Sequence, residues 1–220
     1  MPEETKDRCY ITLRELCSYG IAGYLKDFVS WVQMEAIQKN ESPSLYTEEI
    51  VASALETLRS EGLVQTSPKV PNEFFPTPSL LKKDTNWNFD EYQVLGAFEY
   101  SPIQLVRTRL EHFLFVNKVN DEDIMDISIA TIEGIENAAK YGDGKQIIVS
   151  TRIQNRKLQL TITNQVKEFD LEKEIERGKY SVSSTLMRGI MVMQKLFSHL
   201  DLEIIDETKQ ARLYAEKNLS

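Results

Sequence analysis

The stretch from Asp126 to Gly144, DISIATIEGIENAAKYGDG, constrains the chain more than any other. At helical spacing Ile129, Ile132, Ile135 and Ala139 fall on one face, with Ile127 and Ala138 at its margins. That pattern predicts an amphipathic helix buried along this face. Gly142 and Gly144 are expected to stop it. Glu133 and Asn137 stand four residues apart, so they project together from a neighbouring stripe. A carboxylate and a carboxamide in that register can share one magnesium–phosphate site. The amide oxygen suits a hard cation that keeps most of its waters. The carboxylate can orient or deprotonate a hydroxyl. The same pair is equally at home on a solvated polar face.

The remaining sequence sets limits. At 220 residues the chain can form one large domain, or a standard one with a small one. No apolar run is long enough to span a bilayer, and MPEETKDR has no signal-peptide core, so a cytoplasmic protein without membrane contact is expected. Cys9 and Cys17 match neither a CxxC nor a zinc spacing, which predicts reduced, partly buried thiols. His112 and His199, the only histidines, are expected to be structural or exposed. The net charge of −8 argues against direct nucleic-acid binding but not against a basic protein partner.

Leu13, Leu16 and Cys17, and then Leu25, Phe28, Val29 and Val32, predict two helices separated by Gly20 and Gly23. A third is expected from Thr47, a plausible N-cap, to Gly62, with Ile50, Val51, Ala54, Leu55 and Leu58 apolar. Its passage into Leu63-Val64 resembles the helix-to-wing step of winged-helix domains. Pro68, Pro71, Pro76 and Pro78 predict an extended connection. The expected organisation is a small, mainly helical domain over 1–66, a proline-rich linker over 67–88 and an α/β domain over 89–218. In that last part we expect a strand over Tyr92–Tyr100 and a helix from Ser101-Pro102. The organising helix follows, then strands over Gln146–Thr151 and Leu158–Asn164, a helix over Leu186–Leu200, and strands over Leu202–Asp206 and Ala211–Glu216. Leu158, Leu160 and Ile162 alternate with polar residues, as a sheet covered on one face requires. Strands grouped with helices on one face make a two-layer α/β sandwich.

The run Glu133-Gly-Ile-Glu-Asn137-Ala-Ala-Lys140-Tyr141-Gly142 resembles the N-box of the GHKL, or Bergerat-fold, ATPases. More narrowly it is similar to the anti-sigma factor/serine-protein kinase family of bacterial partner-switching systems, whose element order also matches from Tyr92 onward. The resemblance implies a GHKL-type sandwich with a mixed sheet and ATP with Mg2+ as cofactors. It casts Glu133 as general base on a protein serine, Asn137 as the magnesium ligand and Lys140 as a residue near the phosphates. Arg107 falls where that family carries an arginine contacting a sigma factor and its anti-anti-sigma (STAS) antagonist, with Arg109 as the other candidate. Such proteins are commonly dimers, so a homodimer is also implied.

Two boxes depart from the pattern. An Asp-x-Gly-x-Gly run is expected after the second strand, its aspartate accepting from the adenine amino group. Here stand Asn164-Gln165-Val166-Lys167-Glu168. Asn164 can still accept through its amide oxygen, whereas Val166 and Glu168 add side chains where glycine lets the backbone approach a ligand. The Gly-Arg-Gly-Leu box appears as Met187-Arg188-Gly189-Ile190, leaving Arg188 and Gly189 as candidates for phosphate contact. The loop over 172–185 would be the ATP lid. Two readings stay open: a regulator with degenerate nucleotide boxes, or an active Mg-ATP-dependent serine kinase. A sensor histidine kinase would need a histidine in the first segment, which has none.

Overall fold

The computed structural model describes residues 3–70, 72–83, 86–166, 189–205 and 207–220. The chain divides into two compact units, one of Met1–Asp84 with Glu99–Phe113, the other of Thr85–Phe98 with Leu114–Ser220.

The first unit begins with α1 (Glu3–Ser18), β1 (Gly23–Tyr24), α2 (Leu25–Gln38) and α3 (Glu48–Ser60), followed by β2 (Val64–Thr66) and β3 (Glu73–Pro76). Most of the predicted apolar positions of these helices are buried, including Leu13, Cys17, Phe28, Val32, Ile50, Val51, Leu55 and Leu58, while Leu25 and Val29 are half-buried. Gly62 ends α3 at φ +71, a conformation that suits glycine, and the Leu63 N–H closes onto the Leu58 carbonyl at 2.9 Å. The strands pair antiparallel in the order β1-β3-β2. Three helices are followed by a hairpin that returns beside a short first strand. The stretch expected as a linker thus supplies the middle strand of a sheet. Phe74 is buried, edge-on to Phe28 at 6.4 Å between ring centroids, so local apolar packing anchors a stretch whose prolines suggested an extended tether.

The first unit also holds most of α4 (Pro102–Val116). Pro102 takes the first helical position as expected, and the Ser101 carbonyl before it accepts from the Leu105 N–H at 3.3 Å. Ser101 sits at φ +46 and donates its hydroxyl to Asp27 Oδ1 at 2.8 Å, while its carbonyl also accepts from Trp31 Nε1 at 3.2 Å. Gln104 donates to the Ala22 carbonyl at 3.1 Å, and a His112 ring nitrogen lies 3.0 Å from the Lys82 carbonyl. Burial holds His112 below the usual imidazole range, which makes it the structural histidine expected.

The second unit is built on a five-stranded sheet in the order β4-β5-β6-β8-β7. Its strands are β4 (Phe89–Leu95), β5 (Gly142–Gln154), β6 (Lys157–Val166), β7 (His199–Ile205) and β8 (Gln210–Asn218). These described strands all pair antiparallel, where a mixed sheet was expected. Leu158, Leu160 and Ile162 point inward, as their alternation predicts, with Val149, Leu213 and Ala215 beside them. The covering helix is α5 (Asp121–Tyr141), and residues 189–196 form a further helix. The fold is a two-layer α/β sandwich with a mainly helical N-terminal part.

The buried face of α5 differs from the expected one. Ile127, Ser128, Thr131, Gly134, Ile135 and Ala138 are buried, whereas Ile129 is 44% exposed and Ile132 lies at the margin. Small residues set this rotation. A methyl group on Gly134 would lie 2.7 Å from Ile162 Cδ1, so its absence lets the helix rest close to β6. Thr131 meets its own polar need by donating to the Ile127 carbonyl at 2.7 Å.

Candidate functional site

The site forms where the end of α5 meets β6 and the 189–196 helix. Glu133 and Asn137 occupy one stripe of α5 and are half-buried. Gly189 is buried, and its backbone lies against both: a methyl group on it would be 2.9 Å from Glu133 Oε2 and 2.9 Å from Asn137 Nδ2. Residues assigned from two separate boxes therefore converge. The Asn137 amide nitrogen is buried without a hydrogen-bond partner, an arrangement that usually marks a group awaiting an acceptor.

One turn further along, Gly142 follows the last residue of α5. It is buried at φ −75, so no left-handed backbone calls for glycine here. A side chain would collide with the Ala138 carbonyl oxygen and approach Asn164 Nδ2 to 2.9 Å. Gly144, at φ +80 with nothing around it, is the residue that needs glycine for conformation. The helical pattern named both as helix stops; the place of Gly142 at the end of the N-box run was the available sign of close packing.

Asn164 is buried, and its amide nitrogen donates to the Gln165 carbonyl at 3.1 Å. That bond turns its oxygen into the free end, an acceptor as the adenine role requires. Val166 is not strained. It continues β6 opposite Gly142 and donates its N–H to the Lys209 carbonyl at 2.9 Å. The backbone cost expected for a side chain at this glycine position does not arise, because Val166 ends β6 in ordinary strand pairing and without a positive φ. Lys140 is exposed, its ammonium 5.4 Å from the Tyr141 ring centroid. Arg188, Lys167, Glu168, Met187 and the 172–185 stretch lie outside the described residues.

Arg107 is exposed and pairs with Glu111 one turn on, at 2.9 Å. Arg109 instead stacks over the Tyr19 ring at 4.0 Å. Of the two arginines, Arg107 is the one whose guanidinium is presented to solvent. Cys9 and Cys17 are buried free thiols, each pushed up to about 12 by desolvation. Among the described residues no cluster of three or more His, Cys, Asp or Glu side chains forms a metal site, and no helix is long and apolar enough to cross a membrane.

Residues 98–215 match the histidine kinase-like ATPase domain, and the chain belongs to that family. No curated protein matches it. The family implies a nucleotide and a divalent cation, and the side chains present fit them in part. Glu133 and Asn137 offer oxygen donors of the kind a hard cation takes. The orphan amide of Asn137 beside the Gly189 backbone suits an anionic oxygen, and Asn164 supplies a neutral acceptor.

Proposed function

We propose that the chain is an anti-sigma-factor-like regulator that acts by partner switching, with a histidine kinase-like ATPase domain whose nucleotide boxes have weakened. The convergence of Glu133, Asn137 and Gly189 carries this reading, since it keeps the cation and base residues together around one backbone. The weakening rests on the adenine end. A charge-assisted hydrogen bond contributes about 1.5–3 kcal/mol and a neutral one about 0.5–1.5, so Asn164 in place of aspartate lowers affinity by about tenfold. The pairing of Val166 at the end of β6 further commits its N–H to the Lys209 carbonyl, a group that a glycine turn would offer to a ligand.

In this reading Asn137 holds the magnesium ion, with Lys140, Arg188 and Gly189 near the phosphates. Bound Mg-ATP supplies a transferable phosphoryl group. Glu133 takes the proton from a serine hydroxyl of a STAS partner in this reading. Arg107 contacts the sigma factor or its antagonist through bidentate pairing with carboxylates. The first unit adds regulation or further protein contacts. Its α3 exposes Glu48, Glu49 and Glu56, with Arg59 already held by Glu56 at 2.6 Å, which disfavours direct contact with nucleic acid.

Calorimetric titration of the full chain with Mg-ATP tests the proposal. The expected result is weak or absent binding, with partner binding independent of nucleotide. A low-micromolar dissociation constant, together with phosphorylation of a STAS serine that Glu133→Gln abolishes, would restore the active serine kinase.

A further inference from the structure

The face of α5 turned to solvent carries apolar side chains that the fold does not use. Met125 is 58% exposed and Ile129 44%, and Ile132 continues the same stripe at its edge. Their spacing of four and then three residues places them one above another over about 10 Å of helix. Single exposed apolar residues are ordinary, but three in helical register are the pattern by which one amphipathic helix receives another. Polar substitution here would leave the interior of the second unit untouched, because the buried face of α5 is formed by other residues.

The charges around the stripe select among occupants. Asp121 and Glu122 flank one end and Glu136 the other, all exposed, and among the described residues none of the three forms an ion pair. Lys140 is the only exposed cation on α5. A second copy of the chain would bring the same acids against themselves, and the chain as a whole carries −8. Like charges juxtaposed at an interface oppose association, whereas opposite ones steer it.

We infer that this face of α5 is a docking surface for a basic amphipathic helix of a partner protein, with apolar residues at i, i+4 and i+7 seated on Met125, Ile129 and Ile132, and lysine or arginine meeting the acidic rim. The inference does not rest on nucleotide binding.

Two synthetic peptides of about 15 residues test it, sharing leucines at helical spacing and differing in having lysine or glutamate at every other position. Each is titrated into the full chain by fluorescence anisotropy, with methyl NMR reporting the site. The lysine peptide is expected to bind and to shift the Met125, Ile129 and Ile132 methyl signals, and the glutamate peptide to do neither. Met125→Ser with Ile129→Ser is expected to weaken the lysine peptide by about tenfold or more, a loss of anchoring contacts. Glu122→Lys with Glu136→Lys is expected to weaken it in low salt and by less in high salt. Thermal unfolding verifies that these surface variants stay folded. Absence of binding overturns the inference. So does binding that the serine substitutions leave unchanged, which would make it attraction to net charge alone. A dimer in sedimentation that Ile129→Ser dissolves would assign the face to a second copy and would also overturn it.

Discussion

Gly142 and Gly144 stand two residues apart and are glycine for different reasons. At Gly142 the backbone is ordinary, and the constraint is the Ala138 carbonyl with the Asn164 amide beside it. At Gly144 the surroundings are open and the constraint is φ +80. Alanine therefore tests two mechanisms. Gly144→Ala is expected to cost about 1–2 kcal/mol from the left-handed backbone, and Gly144→Asn to recover part of it. Gly142→Ala must displace either a helix carbonyl or Asn164, an overpacking cost of about 1–3 kcal/mol. It is also expected to shift the Asn164 side-chain amide signals in NMR, which Gly144→Ala leaves alone. Urea unfolding of both variants gives the energies. Equal losses with unmoved Asn164 signals would show that the end of α5 relaxes freely around Gly142.

Among the elements, β6 and β8 carry a polar network on the outer face of the sheet. Lys157 bonds to Glu216 at 2.8 Å, Gln159 to Glu216 at 3.1 Å, and Tyr214 donates to the same carboxylate. The Lys157 bond first, then those of Tyr214 and Gln159, hold the Glu216 carboxyl at about 2, below its ordinary 4.5. Its folded value is depressed, so its contribution to stability is complete above about 4.5 and is lost as pH falls from there towards 2. Glu216→Gln is expected to lower the urea midpoint at pH 6 and to make it less sensitive to acid between pH 5 and 3. A parallel decline in both proteins would show that the network is solvated. Of these elements, β6 was legible because strict alternation of Leu158, Leu160 and Ile162 has one physical meaning. The buried face of α5 was not, because the pattern weighs large aliphatic residues, whereas close packing on β6 selects Gly134, Thr131 and Ala138. β3 was hidden by its prolines. At the site, Glu133 and Asn137 are neighbours by helical spacing, but the approach of Gly189 is a tertiary event that no local spacing predicts; only the resemblance of its box suggested it.

For the whole molecule, the placement of α4 decides how the chain can be divided. Proline density over 67–88 predicts a connection that can be cut, releasing residues from 89 onward as a stable fragment. The compact units divide the chain elsewhere. Glu99–Phe113, which lie inside the segment matching the ATPase family, belong to the same compact unit as Met1–Asp84. There Ser101 is held by Trp31 and Asp27, Gln104 by Ala22, His112 by Lys82, and Arg109 by the Tyr19 ring. The fit is close at Gly20, whose φ is +81 and where a side chain would run into His112. Removing residues 1–88 leaves these α4 groups without partners, and each buried polar group so orphaned costs about 1–3 kcal/mol. Such losses are comparable with the roughly 5–15 kcal/mol by which a domain is stable. A chain of residues 89–220 is therefore expected to fold poorly on its own, with protease cleavage and fast amide exchange concentrated over 99–113. The full chain is expected to protect that stretch. Gly20→Ala in the full chain is expected to act in the same direction and to raise exchange in α4. If residues 89–220 instead unfold cooperatively, with α4 amides protected as they are in the full chain, then α4 is held by the second unit alone and the boundary lies among the prolines.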